Sequence, residues 1–340
     1  MTTFKAYIWQ LRKSSFEIGQ DYGVFLMKQP DLLTMYKHVT KETIDWRNME
    51  AIYRELAPHL LEELQGVAEK LEVSYTSAAA CFSGYDVPKT KAMGCTTLID
   101  NGVYTRNYDF SPLLYDGIFS MIQTNSQYAS AGYNLQLLGR HDGVNEKGLV
   151  IGLHFVSNEG YRKGVSPWVS CRIVLDNCST VEEAVCLLKL IPHAACYNFS
   201  IGDEKGNMAT VETCPEKVEV LWGNGSLACT NHFKHKKMTT KNRTNIAGSL
   251  QRQTHLAKLM GSSWNQTKLF EHFSEDTSPL FFTDYQDFFG TIHTFSYAFD
   301  QGLIKTALAK SAHPLVLDFK KWVGGDDIVE SVLTGEINEG

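Results

Sequence analysis

The 340-residue chain has no C-x-x-C pair among its eight cysteines, no excess of basic residues, no apolar run of membrane length and no internal repeat. Each absence excludes something. Without paired cysteines there is no zinc or redox framework to read. In a chain this long the cysteines are expected to be mostly reduced, small and buried. With 32 Lys and Arg against 38 Asp and Glu, the net charge is −6, and a nucleic-acid partner is not expected. The longest apolar stretches, such as GLVIGLHFV (148–156), stop well short of the roughly 18 residues a membrane span needs. The first twenty residues carry no apolar region ending at a small-residue cleavage site, so no signal peptide is expected and the cytoplasm is the default location. No low-complexity linker divides the chain.

What is present fits a globular protein: 43% apolar and 21% charged residues, with ample material for a core. FKAYIWQLR (4–12) reads as a strand. Residues 31–71 have helical spacing, broken at Pro58 into two helices. Residues 74–94, containing Gly84 and Pro88, read as a less regular connection. From Cys95 onward short strand-like runs dominate: CTTLI (95–99), VYTRNY (103–108), GIFSMIQT (117–124) and LVIGLHFV (149–156). Residues 166–178 and 179–191 read as helices, the second with a capping box formed by Ser179 and Glu182. CYNFSIGD (196–203) and NMATVET (207–213) form a hairpin. VEVLW (218–222) and SLACTNHF (226–233) are strands, 249–260 is a helix, and 291–300 with 304–309 make a last strand pair. The alternation of helical and strand blocks predicts a layered α+β domain.

The segment KAMGCTTLIDNGVYTRNYDF (91–110) carries the chemistry. A thiol near pKa 8.5 needs a base or a favourable field to act as a nucleophile. No histidine partner is signalled near Cys95, and the papain-like signature is absent. A cut between Gly94 and Cys95 would supply a base of another kind. The freed α-amine of Cys95, with a pKa of about 7.7–8.0, can take the thiol proton. Gly94 suits such a cut, because glycine tolerates dihedrals that would present its carbonyl to the sulfur in a strained turn. A turn at Asn101-Gly102 folds RNYDF back beside CTTLI. That brings Asp109 to orient the ammonium and thiol, and Arg106 to balance Asp109 and hold the thiolate. On these residues alone, a buried cysteine in a hairpin with a surface arginine and aspartate is the plainer reading.

Other candidates carry blander readings. His232 and His235 in NHFKHKK suit a metal less well than a solvated basic loop, since no third ligand is signalled. Tyr104, Tyr108, Phe110, Phe155 and Trp168 could line an acyl pocket, although aromatics in strands are more often core. Cys171, Cys178, Cys186 and Cys196 read as core.

Taken in order, the motifs resemble the N-terminal-nucleophile hydrolases, and most of all the isopenicillin-N acyltransferase family. Its relatives include penicillin V acylases, bile-salt hydrolases and acid ceramidase. EIGQDYG (17–23) resembles the family's propeptide motif, GCTTL (94–98) its self-cleavage site and RNYDF (106–110) its Arg and Asp pair. GVNEKGLVIGLHF (143–155) resembles the turn and strand bordering the oxyanion site. CTNHF (229–233) supplies the family's Asn, SLQR (249–252) its second Arg and TFSYAFD (294–300) its closing strand. The resemblance implies a four-layer αββα sandwich of two antiparallel sheets, with the Cys95 strand central. It implies a light subunit, 1–94, and a heavy subunit, 95–340, that stay associated after cleavage at Gly94–Cys95. Cys95 would be nucleophile and base, oriented by Asp109, with Arg106 and Arg252 tuning the site by charge. Asn231 and a backbone N–H near His154 would bind the oxyanion, with Tyr108 and Phe110 at the pocket. His154 departs from many relatives, which carry Asn or Tyr there. The implied function is cleavage of a small-molecule N-acyl amide through a thioester, with water or another amine as acceptor and no metal or organic cofactor. No membrane partner is implied, and homo-oligomers are compatible with the reading. The rival is a non-catalytic binding protein, or a dormant precursor, on the same fold.

Overall fold

The computed structural model describes residues 2–89, 94–285 and 289–337. Strand β1 (Thr2–Arg12) opens the chain where the pattern predicts it. Helix α1 (Ser15–Lys28) follows, unassigned by the sequence reading. The Ser14 hydroxyl accepts the Glu17 N–H at 3.3 Å, and the Glu17 carboxylate accepts the Ser14 N–H at 3.0 Å. This reciprocal box satisfies two donors that a helix start would otherwise orphan. α2 (Pro30–Val39), α3 (Trp46–Leu56) and α4 (Pro58–Leu71) divide the expected helical stretch. Pro58 breaks it as expected, at the first position of α4, where its missing N–H costs nothing. A further break precedes Asp45, which caps α3 by accepting the Asn48 N–H. The connection expected to be irregular holds a helix, α5 (Tyr75–Phe82), capped by Ser74 and built on three consecutive alanines. Alanine's helix propensity outweighs the nearby Gly84 and Pro88, which act only beyond the helix end. Residues 90–93 of that connection lie outside the described residues.

β2 (Gly94–Asp100) and β3 (Val103–Phe110) form the expected hairpin. Asn101 (φ 48°) and Gly102 (φ 72°) both take the left-handed conformation that a two-residue hairpin turn favours. β4 (Ile118–Gln123), β5 (Ser130–Leu135), β6 (Gly139–Arg140), β7 (Asp142–Asn145) and β8 (Val150–Ser157) come next. Helices α6 (Pro167–Asn177) and α7 (Val181–Leu190) occupy the expected positions. The cap of α7 is displaced by one residue: Thr180 accepts the Glu183 N–H, and Ser179 donates to the Glu183 carboxylate rather than meeting Glu182. β9 (Cys196–Gly202) and β10 (Met208–Cys214) make the expected hairpin, and β11 (Lys217–Trp222) follows. β12 (Ser226–Cys229) stops four residues earlier than expected. The chain continues through α8 (Ala247–Leu259), α9 (Gln266–Ser274), β13 (Thr283–Asp284), β14 (Phe289–Ala298) and β15 (Leu303–Leu308). β16 (Leu315–Asp318), α10 (Phe319–Val323) and β17 (Val332–Ile337) extend past what was expected to be the last strand pair.

The strands form two sheets. One runs β11-β10-β9-β8-β7-β5-β4-β1-β17, and the other β12-β2-β3-β14-β15-β16. Among the described residues every named pair is antiparallel except β1 with β4. The sheets face each other across one large core. Helices α6 and α7 pack against the first sheet and α8 and α9 against the second, giving the expected four layers. α1 and α4 cross so closely that a Cβ on Gly19 would lie 2.0 Å from the Glu63 carbonyl oxygen, which gives the EIGQDYG motif a packing role. Cysteines 171, 178 and 196 are buried as expected, but Cys186 is exposed; all eight are free thiols.

One placement differs in a way that builds the site. β2 is not central but lies one strand in from the edge, between β12 and β3. β12 runs antiparallel to β2, with Cys229 opposite Thr97. The residues after β12 therefore run toward the start of β2, and Asn231 arrives beside Cys95.

Candidate active site

Cys95 is wholly buried, and three of its atoms are each held by a different distant residue. Its N–H donates to Asn231 Oδ1 at 2.8 Å. Its carbonyl accepts from Arg252 Nη1 at 2.6 Å. Its sulfur accepts from Arg106 Nη2 at 3.1 Å. Arg106 sits two positions before Tyr108, the register partner of Cys95, so alternation points both side chains to the same face. That face looks toward the other sheet, where a Cβ on Gly152 would meet the Arg106 side chain at 2.6 Å. Gly152 thus makes room for the guanidinium. Arg106 and Asp109 are fully buried, which removes the reading of a surface pair. Burial pushes the Cys95 thiol up to about 11, with Asp109 and Asp142 adding to the rise and Arg106 and Arg252 opposing it.

Asp109 reaches the site differently from the expectation. It pairs in register with Gly94, so its side chain lies on the face opposite the sulfur, against the peptide that links Gly94 to Cys95. One carboxylate oxygen accepts from the Thr291 hydroxyl at 2.7 Å, and the other is buried without a hydrogen-bond partner among the described residues. Burial raises its pKa, against the pull of Arg252 and the Thr291 bond. The rationale for Gly94 also changes. Gly94 sits in regular strand and is absent from the glycines with positive φ. A Cβ there would lie 2.6 Å from the Phe289 ring and 2.9 Å from Asp109 Cβ. Glycine is required by space, not by an unusual dihedral.

Asn231 and Arg252 brace one another, with Arg252 Nη2 donating to Asn231 Oδ1 at 2.9 Å. Arg252 also binds the Thr96 hydroxyl at 2.8 Å. Asn231 Nδ2 spends one hydrogen on the Phe155 carbonyl at 2.9 Å. The Asn231 N–H donates to the Ser249 hydroxyl, which is 2.8 Å from His232 Nδ1. His232 is thus a buried brace, not part of a solvated loop, and burial pushes its pKa down to about 4. His235 is half-exposed, 3.7 Å from Glu219. The His154 ring is engaged by Ser200 at 2.9 Å and Thr97 at 3.3 Å, and burial holds it well below the usual imidazole range. Tyr108 and Phe110 are buried, and the Tyr108 ring lies 4.0 Å from that of His141.

The sequence reading missed Asp142, His293 and Ser249. Arg106 Nη1 pairs with Asp142, whose same oxygen is 2.8 Å from His293 Nε2. Burial works to raise the Asp142 pKa, but His293 and Arg106 overcome it and hold the carboxyl well below its usual range. An ionised carboxylate only accepts, so His293 donates through Nε2. Burial lowers the His293 pKa and favours the neutral ring, whose Nδ1 then accepts from the Tyr115 hydroxyl at 2.9 Å. A chain of contacts thus runs from the sulfur through Arg106, Asp142 and His293 to Tyr115. Among the described residues no cluster of three or more metal-ligating side chains occurs.

Residues 97–313 match the family model described as acyl-coenzyme A:6-aminopenicillanic acid acyl-transferase. The matched span contains Arg106, Asp109, His154, Asn231 and Arg252, and begins two residues after Cys95. No curated protein matches the chain in sequence. Solved structures similar to it include a mutant of the conjugated bile acid hydrolase from Clostridium perfringens, at 17% identity and a TM-score of 0.49, covering 73% of this chain and 98% of that one. Penicillin V acylase from Agrobacterium tumefaciens is also similar, at 17% identity and a TM-score of 0.44 over 67% of this chain and 86% of that one. So is the Caenorhabditis elegans ortholog of N-acylethanolamine-hydrolyzing acid amidase, at 14% identity and a TM-score of 0.42 over 60% and 93%.

Proposed function

The chain belongs to the acyl-coenzyme A:6-aminopenicillanic acid acyl-transferase family, and on that premise we propose that it cuts itself between Gly94 and Cys95 and then cleaves a linear N-acyl amide through a thioester on Cys95. In the first reaction the sulfur attacks the Gly94 carbonyl carbon. The C–N bond breaks, the thiol proton passes to the Cys95 nitrogen, and water hydrolyses the thioester. The products are a Gly94 carboxylate, a free thiol and a free α-amine. In the second reaction that amine takes the thiol proton and the sulfur attacks the substrate carbonyl. The proton goes to the departing amine, and the acyl group remains on sulfur until water or a second amine removes it.

Roles follow from the contacts. Asn231 holds the Cys95 nitrogen through Oδ1 and keeps one Nδ2 hydrogen to offer the oxyanion. Arg252 fixes the Cys95 carbonyl and the Asn231 amide together. Arg106 lies on the sulfur and favours the thiolate. Asp109, lying against the bond to be cut, orients the ammonium that replaces it. The single observation that carries the reading is the triple hold on Cys95, with N–H, carbonyl and sulfur each bound by a different member of the set.

An intact-mass measurement tests it. Two fragments are expected, the larger beginning Cys-Thr-Thr, and Cys95→Ala should leave one chain. The rival, a binding protein or dormant precursor, draws on the sealed and protonated thiol of the uncut chain. A wild-type chain unbroken after long incubation would decide for it.

A further inference from the structure

Three guanidinium groups act on Cys95, and only two are matched by acid. Arg106 pairs with Asp142. Arg252 is offset by the nearby carboxylate of Asp109. Arg243 has no carboxylate partner among the described residues, and its Nε is buried without a hydrogen bond. Its guanidinium lies over the Phe155 ring, 5.9 Å from the centroid. Phe155 is the residue whose carbonyl receives Asn231 Nδ2.

The loop that carries Arg243 is pinned. The preceding residue, Asn242, accepts the Phe233 N–H at 2.7 Å and donates to the Phe233 carbonyl at 3.1 Å, two residues beyond Asn231. The Ser157 hydroxyl at the end of β8 donates to the Lys241 carbonyl. Arg243 is thus held beside the oxyanion segment. Its charge is felt by Cys95, by Arg252 and by His232. Of the three arginines it alone is partly open to solvent. A half-buried guanidinium with no acid partner is a fork set for a planar anion, because Arg binds carboxylates bidentately.

Resting on the reading above, we propose that Arg243 anchors a carboxylate on the amine half of the substrate, so that N-acyl amino acids are the preferred class. The amine half is assigned because it leaves first while the acyl group stays on the sulfur. The departing half therefore belongs at the guanidinium that meets water.

The test compares N-decanoylglycine with N-decanoylglycinamide, which differs by the charge alone. A monoamide of sebacic acid with ethylamine places the carboxylate on the acyl side instead. With the processed enzyme, kcat/KM for N-decanoylglycine should exceed that for the glycinamide at least tenfold. Arg243→Gln should bring the ratio to within about twofold, chiefly through KM, and Arg243→Lys should restore part of it. Equal losses on charged and neutral substrates would overturn the assignment, as would a wild-type preference for the sebacic monoamide. Binding keeps the test independent of turnover. On the processed enzyme, calorimetry with ketone isosteres in which CH2 replaces the amide N–H should show tighter binding of 4-oxotridecanoic acid than of its carboxamide, and Arg243→Gln should abolish the difference. If the wild type neither cuts itself nor turns over any amide, the enzymatic reading fails. If it does both without this charge preference, only the anchor fails.

Discussion

At the scale of single residues, the buried sulfur and its missing base govern behaviour. With the Cys95 thiol at about 11 in the uncut chain, roughly 10⁻⁴ of it is thiolate at pH 7. Raising the pH raises that fraction tenfold per unit until the thiol titrates. The self-cleavage rate, followed by mass over time, should therefore climb with a log slope of about one from pH 7 to 10. In the proposed mechanism the α-amine released by the cut takes over as base. The ascending limb of kcat/KM should then lie near pH 8, the amine's ordinary range of about 7.7–8.0. His154→Ala should leave that limb in place, because burial already keeps this imidazole neutral well below it. A limb that moved with His154 would sink the amine as base. Asn231→Ala should lower kcat by about 10²–10³, the usual cost of losing one oxyanion donor, with KM changed far less.

At the scale of elements, the sulfur is positioned by strands of both sheets. Arg106 lies on β3, Asp142 on β7 and His293 on β14, so their contacts clasp one sheet to the other next to the Cys95 sulfur. Replacing Asp142 with Ala leaves the Arg106 charge buried and unanswered. That should cost about 3–5 kcal/mol of stability, read from denaturant melts. The pH dependence has a definite sign. The folded Asp142 pKa is depressed, so its contribution is fully present above the ordinary carboxylate value of about 4 and is lost as pH falls toward the folded value. The gap between wild type and Asp142→Ala should thus hold from neutral pH to about 4 and shrink below it.

Legibility in the sequence also divides at this scale. The β2–β3 hairpin was readable because Asn101-Gly102 is a local turn signal, and it brought Cys95, Arg106 and Asp109 together at once. Asn231 and Arg252 lie far along the chain, and only their resemblance to a known motif order marked them. Asp142 and His293 left no mark, because a buried ion pair made by distant strands has no local spacing. The α5 helix was different: the alanine run behind Ser74 was there to be read, whereas VLTGEI (332–337) alternates in burial but not cleanly in polarity, so β17 left only a weak signal.

At the scale of the whole molecule, helices ahead of Cys95 are tied by buried polar contacts to elements beyond it. Arg172 on α6 binds Glu63 on α4 at 2.7 Å and Asp176 at 2.6 Å, and His59 on α4 is 2.7 Å from the same Asp176. These four groups are almost fully buried. The Tyr22 hydroxyl of α1 accepts from Asn134 Nδ2 of β5 at 3.1 Å. A cut at residue 94 would leave all of these contacts intact. Both fragments should therefore co-elute in size-exclusion chromatography at neutral pH, and Arg172→Ala should loosen them first. Separate elution of the wild-type fragments in plain buffer would contradict this.

The position of β1 carries a consequence for how the protein can be made. β1 is hydrogen-bonded to β4 along one flank and to β17 along the other, over six register positions on each. Both neighbours come from beyond residue 94. A polypeptide starting at Cys95 and synthesised alone would have a slot in its sheet with two naked rims, the kind of unpaired backbone that recruits foreign strands. The opening segment thus fills that slot in the folded sheet, and expressing the remainder without it should yield aggregates unless the missing strand is supplied in trans.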